Sequence, residues 1–201
     1  MVLFIDALFR VKDPPAELAG ESFLSVDDAK AIRDVPPFRL EPTLVMVVTA
    51  DGDIHQFTGD GDPKDLLSGL NAYLTSAPLS GLETCVGWHL DQTVIPALCA
   101  SAVVHGVKFR RWMRRLDDKW SKTQALSMER ALWQGWYPRS KFLGDDTWLT
   151  LDDALRMCGL TSLEDLQNDK DAKDMPPETS RLLARVAGIA QLYQRYQEVL
   201  A

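Results

Sequence analysis

The stretch Val86–Leu98, VGWHLDQTVIPAL, sets an apolar segment against a turn and then against the start of a longer apolar run that continues to His105 and Gly106. Leu82–Trp88 (LETCVGW) reads as a strand, and Val94–His105 as the helix after it, stopped by Gly106. A buried strand running into a helix is the unit from which α/β layers are built.

Upstream, Val2–Leu8 is a short apolar run that a strand explains, broken by Lys12–Pro15, KDPP. Residues Pro14–Pro42 look loop-rich, with an amphipathic stretch Ser25–Ile32 that opens on a Ser-x-x-Asp signal. Leu44–Thr49 and Ile54–Thr58 flank the Asp51-Gly52-Asp53 turn and predict a hairpin. Asp62-Pro63 then starts a helix with Leu66, Leu67, Leu70, Tyr73 and Leu74 at helical spacing.

The second half reads as helical. Phe109, Met113, Leu116 and Trp120 form one stripe, Leu126–Trp136 another, and Trp148–Cys158 opens with a capping-box signal at Thr150. Asn168–Pro177 is a charged connector, and Leu182, Val186, Ile189, Tyr193, Tyr196 and Leu200 mark a last helix that should pack on the sheet. The order strand, hairpin, helix, strand, helix, helices predicts an α/β fold with a mixed sheet flanked by helices, in a single domain over residues 1–201.

Composition narrows the function. The 201 residues are 46% hydrophobic, enough for one good core, and carry 22 Lys+Arg against 29 Asp+Glu, a net charge of −7. That balance argues against a protein coating nucleic acid with its whole surface, so any polyanion site is local. Cys85, Cys99 and Cys158 match no metal-knuckle spacing and suggest a reducing, cytoplasmic setting. Met1 leads straight into VLFIDALF without a basic leader, and no apolar run approaches a membrane span, so no membrane partner is expected.

The order of elements and their junction residues resemble the ribonuclease H-like 3′-5′ exonuclease domains of the DEDD type, in particular a stand-alone bacterial group related to the proofreading domain of B-family DNA polymerases. The sharpest stretch runs from Val86 to Val107; family members carry Trp-Asn-x-x-x-Phe-Asp-Leu-Pro-x-Leu there, and Trp88 and Pro96 keep its separation. On that register His89 stands for the asparagine, Thr93 for the phenylalanine and Val94 for a metal-binding aspartate. The first motif, Asp-x-Glu, matches Asp6-Ala7-Leu8 with the glutamate replaced by leucine. No counterpart of the third motif is found near Lys122–Leu126, and the fourth puts Arg185 at the acid and Arg181 at the tyrosine.

The resemblance implies an enzyme that holds Mg2+ or Mn2+ through several carboxylates, with two cations about 4 Å apart. Of the motif acids only Asp6 remains, and Arg185 would present a fixed positive charge, so neither metal nor catalysis is expected. Asp91 could serve as a relocated acid, but reads better as a helix N-cap.

Lys108–Lys122, KFRRWMRRLDDKWSK, carries seven basic residues against two acids. On a helix, Arg110, Arg111, Arg114 and Arg115 would lie outward with Trp112 among them, and with Lys119 they form the candidate contact for single-stranded nucleic acid. The alternative is a solvated face whose arginines pair with acids of this chain or of a partner. The six tryptophans could line a cleft or interface, or simply fill the core. His55, His89 and His105 lack metal-ligand spacing, and a Cys85/His89 nucleophile pair is disfavoured by the burial expected of Cys85. Asp51, Asp53, Asp60 and Asp62 fit no familiar calcium loop; Asp60 and Asp62 read as a turn and a cap.

Three functions stay open: a degenerate exonuclease-like protein that binds nucleic acid ends, a protein-interaction or homo-oligomeric assembly module on the same scaffold, and an active metal-dependent exonuclease with relocated acids such as Asp91, Asp117, Asp118 or Asp145.

Overall fold

A computed structural model describes residues 1–14, 16–28, 32, 35–59, 62–76, 84–109, 124–133, 149–169 and 174–200. Five strands form one sheet: β1 Val2–Val11, β2 Leu40–Thr49, β3 Ile54–Thr58, β4 Thr84–Gly87 and β5 Gln124–Ser127, in the order β3-β2-β1-β4-β5. β2 is antiparallel to β1 and β3, whereas β4 runs parallel to both of its neighbours, β1 and β5. The sheet is therefore mixed, as the sequence predicts.

Strand alternation places the helices. Phe4 meets Tyr193 edge-on at 5.7 Å, so the even-numbered side of β1 faces the long helix over Pro177–Leu200. Gln56, opposite Met46 in register, reaches Thr179 of the same helix. Phe57 points the other way, its ring 5.7 Å from Tyr73 of α1, Pro63–Leu74. Two helix layers thus sandwich the sheet. α2, Ile95–Val104, packs beside α1, while α3 Met128–Trp133, α4 Leu151–Met157 and α5 Leu163–Gln167 gather near the long helix, α6. The arrangement is consistent with a ribonuclease H-like fold, and the buried apolar residues form one core cluster.

Local chemistry explains most boundaries. Asp62 caps α1 by accepting from Lys64 N at 2.8 Å, with Pro63 in the first turn. Thr150 and Asp153 complete the capping box of α4. Gly106, at φ 68°, lets Val107 N return to Ala102 O at 2.8 Å and closes α2 in the Schellman manner. Thr43 interrupts the β1–β2 register as a bulge and donates to Leu8 O at 3.1 Å.

Several expectations need correction. β1 and β2 each run to ten residues, so Leu40–Pro42 belongs to a strand, not to a loop. Residues Gln124–Ser127 pair with β4 as a fifth strand, where the apolar spacing from Leu126 suggested only helix. A four-residue strand at the edge of the sheet is too short to show alternation. Val94 does not open the helix after β4; residues Leu90–Val94 make a π-helical turn, and α2 starts at Ile95. Among the described residues, no helix is long and apolar enough to cross a membrane.

Candidate functional site

Asp6 lies at the middle of β1 on the side that faces α6, fully buried. A carboxylate there must be paired, because removing a charge from water is otherwise prohibitive. Its partner is Arg185, itself 2% exposed: Arg185 Nε donates to Asp6 Oδ2 at 2.6 Å, and the backbone N–H of Ala7 donates to Oδ1 at 2.9 Å. The same guanidinium donates through Nη1 to Asp27 Oδ2 at 2.8 Å. Arg185 thus bridges two carboxylates. Its third nitrogen, Nη2, is buried and donates to no described residue.

Asp27 ties three further elements to this centre. Its Oδ1 accepts from Trp88 Nε1 at 3.0 Å, and its Oδ2 accepts from Leu151 N, in the first turn of α4, at 3.2 Å. The fully buried Trp88 is therefore an anchor for the acid pair, not part of an open cleft. The loop that presents Asp27 is folded by its own side chains: Asp27 N donates to Ser25 Oγ at 3.3 Å, and Ser25 N donates to Asp28 Oδ2 at 2.5 Å. One helical turn before Arg185, Arg181 pairs with Asp28 and reaches Ser25 Oγ at 3.4 Å.

Burial is the largest influence on Asp6 and raises its carboxyl above the ordinary range, against the pull of Arg185. Burial pushes Asp27 the same way, but there the charge and hydrogen bond of Arg185 prevail and hold it below the usual range. Arg185 is desolvated as well, yet the two aspartates raise its pKa and keep it charged. The assembly is a carboxylate–guanidinium–carboxylate bridge. Among the described residues, no group of three or more His, Cys, Asp or Glu side chains could hold a metal ion.

A second polar cluster sits at the carboxyl ends of β4 and β5. His89 adopts a left-handed conformation, φ 49°, at the turn out of β4. Glu129 Oε2 accepts from His89 N at 2.9 Å, Ser127 Oγ accepts from Leu90 N at 2.8 Å, and the Ser127 hydroxyl donates to Glu129 at 2.7 Å. Two backbone donors at the strained turn are thereby satisfied by side chains. Burial raises the Glu129 carboxyl.

The residues singled out from sequence fall as follows. Asp6 and Arg185 are brought together, with Asp27 as a second acid that sequence reasoning missed; the Ser-x-x-Asp signal pointed to its neighbours Ser25 and Asp28. Val94 is fully buried in the core and offers only methyl groups. Asp91 caps no helix, contrary to expectation, and instead pairs with Arg130 on α3. Cys85 is buried, its thiol pushed up to about 12, whereas Cys99 and Cys158 are half-buried. Arg110, Arg111, Trp112, Arg114, Arg115 and Lys119, together with Asp117, Asp118 and Asp145, lie outside the described residues.

No protein-family model matches the sequence, and no curated protein matches it. Among solved structures, the chain is similar to the family B DNA polymerase from the hyperthermophilic archaeon Pyrobaculum calidifontis, with a TM-score of 0.62 and 15% identity over 96% of this chain and 24% of the polymerase. The chain thus spans about a quarter of that polymerase's length, and what the two share is the fold of this part.

Proposed function

We propose that this chain is an exonuclease-fold protein that does not cleave, and that it binds single-stranded nucleic acid through the basic segment containing Arg110, Arg111, Trp112, Arg114, Arg115 and Lys119. The observation that carries the first half is the bridge from Arg185 to Asp6 at 2.6 Å and to Asp27 at 2.8 Å. In the resembling nucleases, carboxylates on this strand hold Mg2+ or Mn2+. The residues present here do not fit such an ion. The facing oxygens of both acids are taken by a guanidinium, Val94 supplies no ligand, and Leu8 stands where a second strand carboxylate would be.

Electrostatics decides the competition. A dication placed about 4 Å from a guanidinium is repelled by roughly 8 kcal/mol at an effective dielectric near 20. Displacing Arg185 instead would leave a buried arginine without its counter-charges, which is also unfavourable by several kcal/mol. Site chemistry here serves cohesion: strand, loop, α4 and α6 are locked by one ionic bridge. The nucleic-acid half rests on the seven basic residues of Lys108–Lys122 in a chain of net charge −7, and on the shared fold with part of a DNA polymerase.

One assay tests both halves. End-labelled single-stranded DNA and RNA are incubated with the protein and Mn2+ or Mg2+, then filtered at two salt concentrations. The expected result is salt-dependent retention of full-length strand. Shortening of the strand that is lost in Asp6→Ala would establish an active nuclease. Absence of a salt-dependent complex at micromolar protein would remove nucleic-acid binding and leave an interaction or assembly module on this scaffold.

A further inference from the structure

At the open end of the β1–β2 pair, Glu41 stands opposite Arg10 in register, 6% exposed. Three basic side chains converge on it. Arg10 Nη2 lies 2.9 Å from Oε2, Lys12 Nζ 2.6 Å from Oε1, and His105 Nε2, from the end of α2, 3.7 Å from Oε1. Arg39 joins them from the 3-10 turn Pro37–Arg39, donating through Nε to Lys12 O at 3.0 Å and through Nη2 to Asp13 O. Lys108, three residues beyond His105, is exposed.

Among the described residues, Arg10 and Lys12 meet at the buried carboxylate of Glu41, and Arg39 is tied to the backbone of Lys12 and Asp13 beside them; Glu178 lines the cavity next to Arg10, in a protein of net charge −7. Arg10, Lys12 and Arg39 are held in place by a buried acid and by backbone carbonyls, and the Arg10 and Lys12 side chains remain 50% and 41% exposed. Phe38, the residue before Arg39, is 61% exposed on the 3-10 turn, which packs on α2; at the end of that helix Val103 and Val104 stand in solvent. An exposed ring among fixed cations is the arrangement that a flexible polyanion with stackable bases can use.

We propose that Arg10, Lys12, Phe38 and Arg39, with Lys108 three residues beyond His105, form a contact surface for single-stranded nucleic acid in addition to the segment Arg110–Lys119, with phosphates on the cations and one base stacked on Phe38. This rests on the nucleic-acid reading above and adds a place and a mode to it. Among the described residues, one ring and two valines here are too little apolar surface to anchor the protein in a bilayer, which favours a nucleic-acid strand over an anionic membrane.

Fluorescence anisotropy of a labelled oligothymidylate, titrated at several salt concentrations, tests the surface. The variants are Lys12→Gln with Lys108→Gln, which leaves Arg10 on Glu41; Phe38→Ala; and Arg110→Gln with Arg111→Gln as the contrasting set. Losing two phosphate contacts should lower the slope of log K against log salt by about 1.4. Phe38→Ala should weaken binding about five-fold or more with the slope unchanged. Wild-type affinity and slope in both Lys12/Lys108 and Phe38 variants, while Arg110/Arg111 variants are weakened, would overturn this surface and keep the parent reading. No binding by the unmodified protein would overturn both. Binding to phosphatidylserine vesicles that exceeds binding to the oligonucleotide, and falls in the same variants, would overturn the choice of partner.

Discussion

Arg185 Nε donates to Asp6 Oδ2 across 2.6 Å, joining residues 179 apart in the chain and both almost wholly withdrawn from water. The contact fixes α6 on β1 at one point. Neighbouring Leu182, Val186 and Ile189, all fully buried, then determine how the rest of the helix lies.

Replacing Arg185 with Met should destabilise the protein by about 3–5 kcal/mol, because Asp6 and Asp27 would be left buried without a counter-charge. Urea denaturation measures it. Adding Asp6→Asn to Arg185→Met should recover part of the loss, whereas two independent, additive losses would argue against the bridge.

The hydrogen bond from Trp88 Nε1 to Asp27 spans 3.0 Å and involves an ionised acceptor. Trp88→Phe should therefore cost about 1.5–3 kcal/mol beyond any change in packing, since bonds to charged groups are the stronger class. A loss no greater than that of a conservative apolar trim would count against Asp27 as a hub.

Gly87 closes β4 against β1, and a Cβ there would lie 2.8 Å from Ile5 O and 3.0 Å from a Leu90 methyl. Gly87→Ala should lower stability by about 1–3 kcal/mol through overpacking. Thermal unfolding followed by circular dichroism reads this, and an unchanged midpoint would contradict the close approach of the two strands.

Stability should respond to acid in two opposed ways. Asp27 and Glu41 are lowered from 3.8 and 4.5 in the folded protein, burial notwithstanding, by their basic partners. The unfolded chain binds those protons first, so their contribution is complete above the unfolded values and is lost as pH falls through the folded ones. Glu129 and Asp6 are raised from 4.5 and 3.8 by burial, so their contributions have the other sign: present below the unfolded values and lost as pH rises through the folded ones. Glu129→Gln should make the arm of the profile above pH 4.5 shallower, leaving the part that Asp6 contributes and the fall at lower pH.

Much of this architecture was legible in the residues. Alternation in Ile54–Thr58, the Asp62-Pro63 cap, the Thr150 capping box and the stripe from Leu182 to Ile189 each report a local rule, and each element forms where that rule places it. β5 was not legible, because four residues at the sheet edge, beside the single parallel neighbour β4, are too few to carry a period. At the site, Asp6 and Arg185 could be singled out by a motif register, but Asp27 could not: its role depends on a loop returning beneath α6 and on an indole donor 61 residues away. Long-range pairing leaves no trace in local spacing.

A guanidinium occupies the place between the two acids beside β1. A crystal soaked in manganese and measured at the metal's absorption edge tests it most directly. No anomalous peak is expected within bonding distance of Asp6 or Asp27, with Arg185 still bridging them. A peak there, and above all a pair of peaks about 4 Å apart with Arg185 swung away, would contradict it.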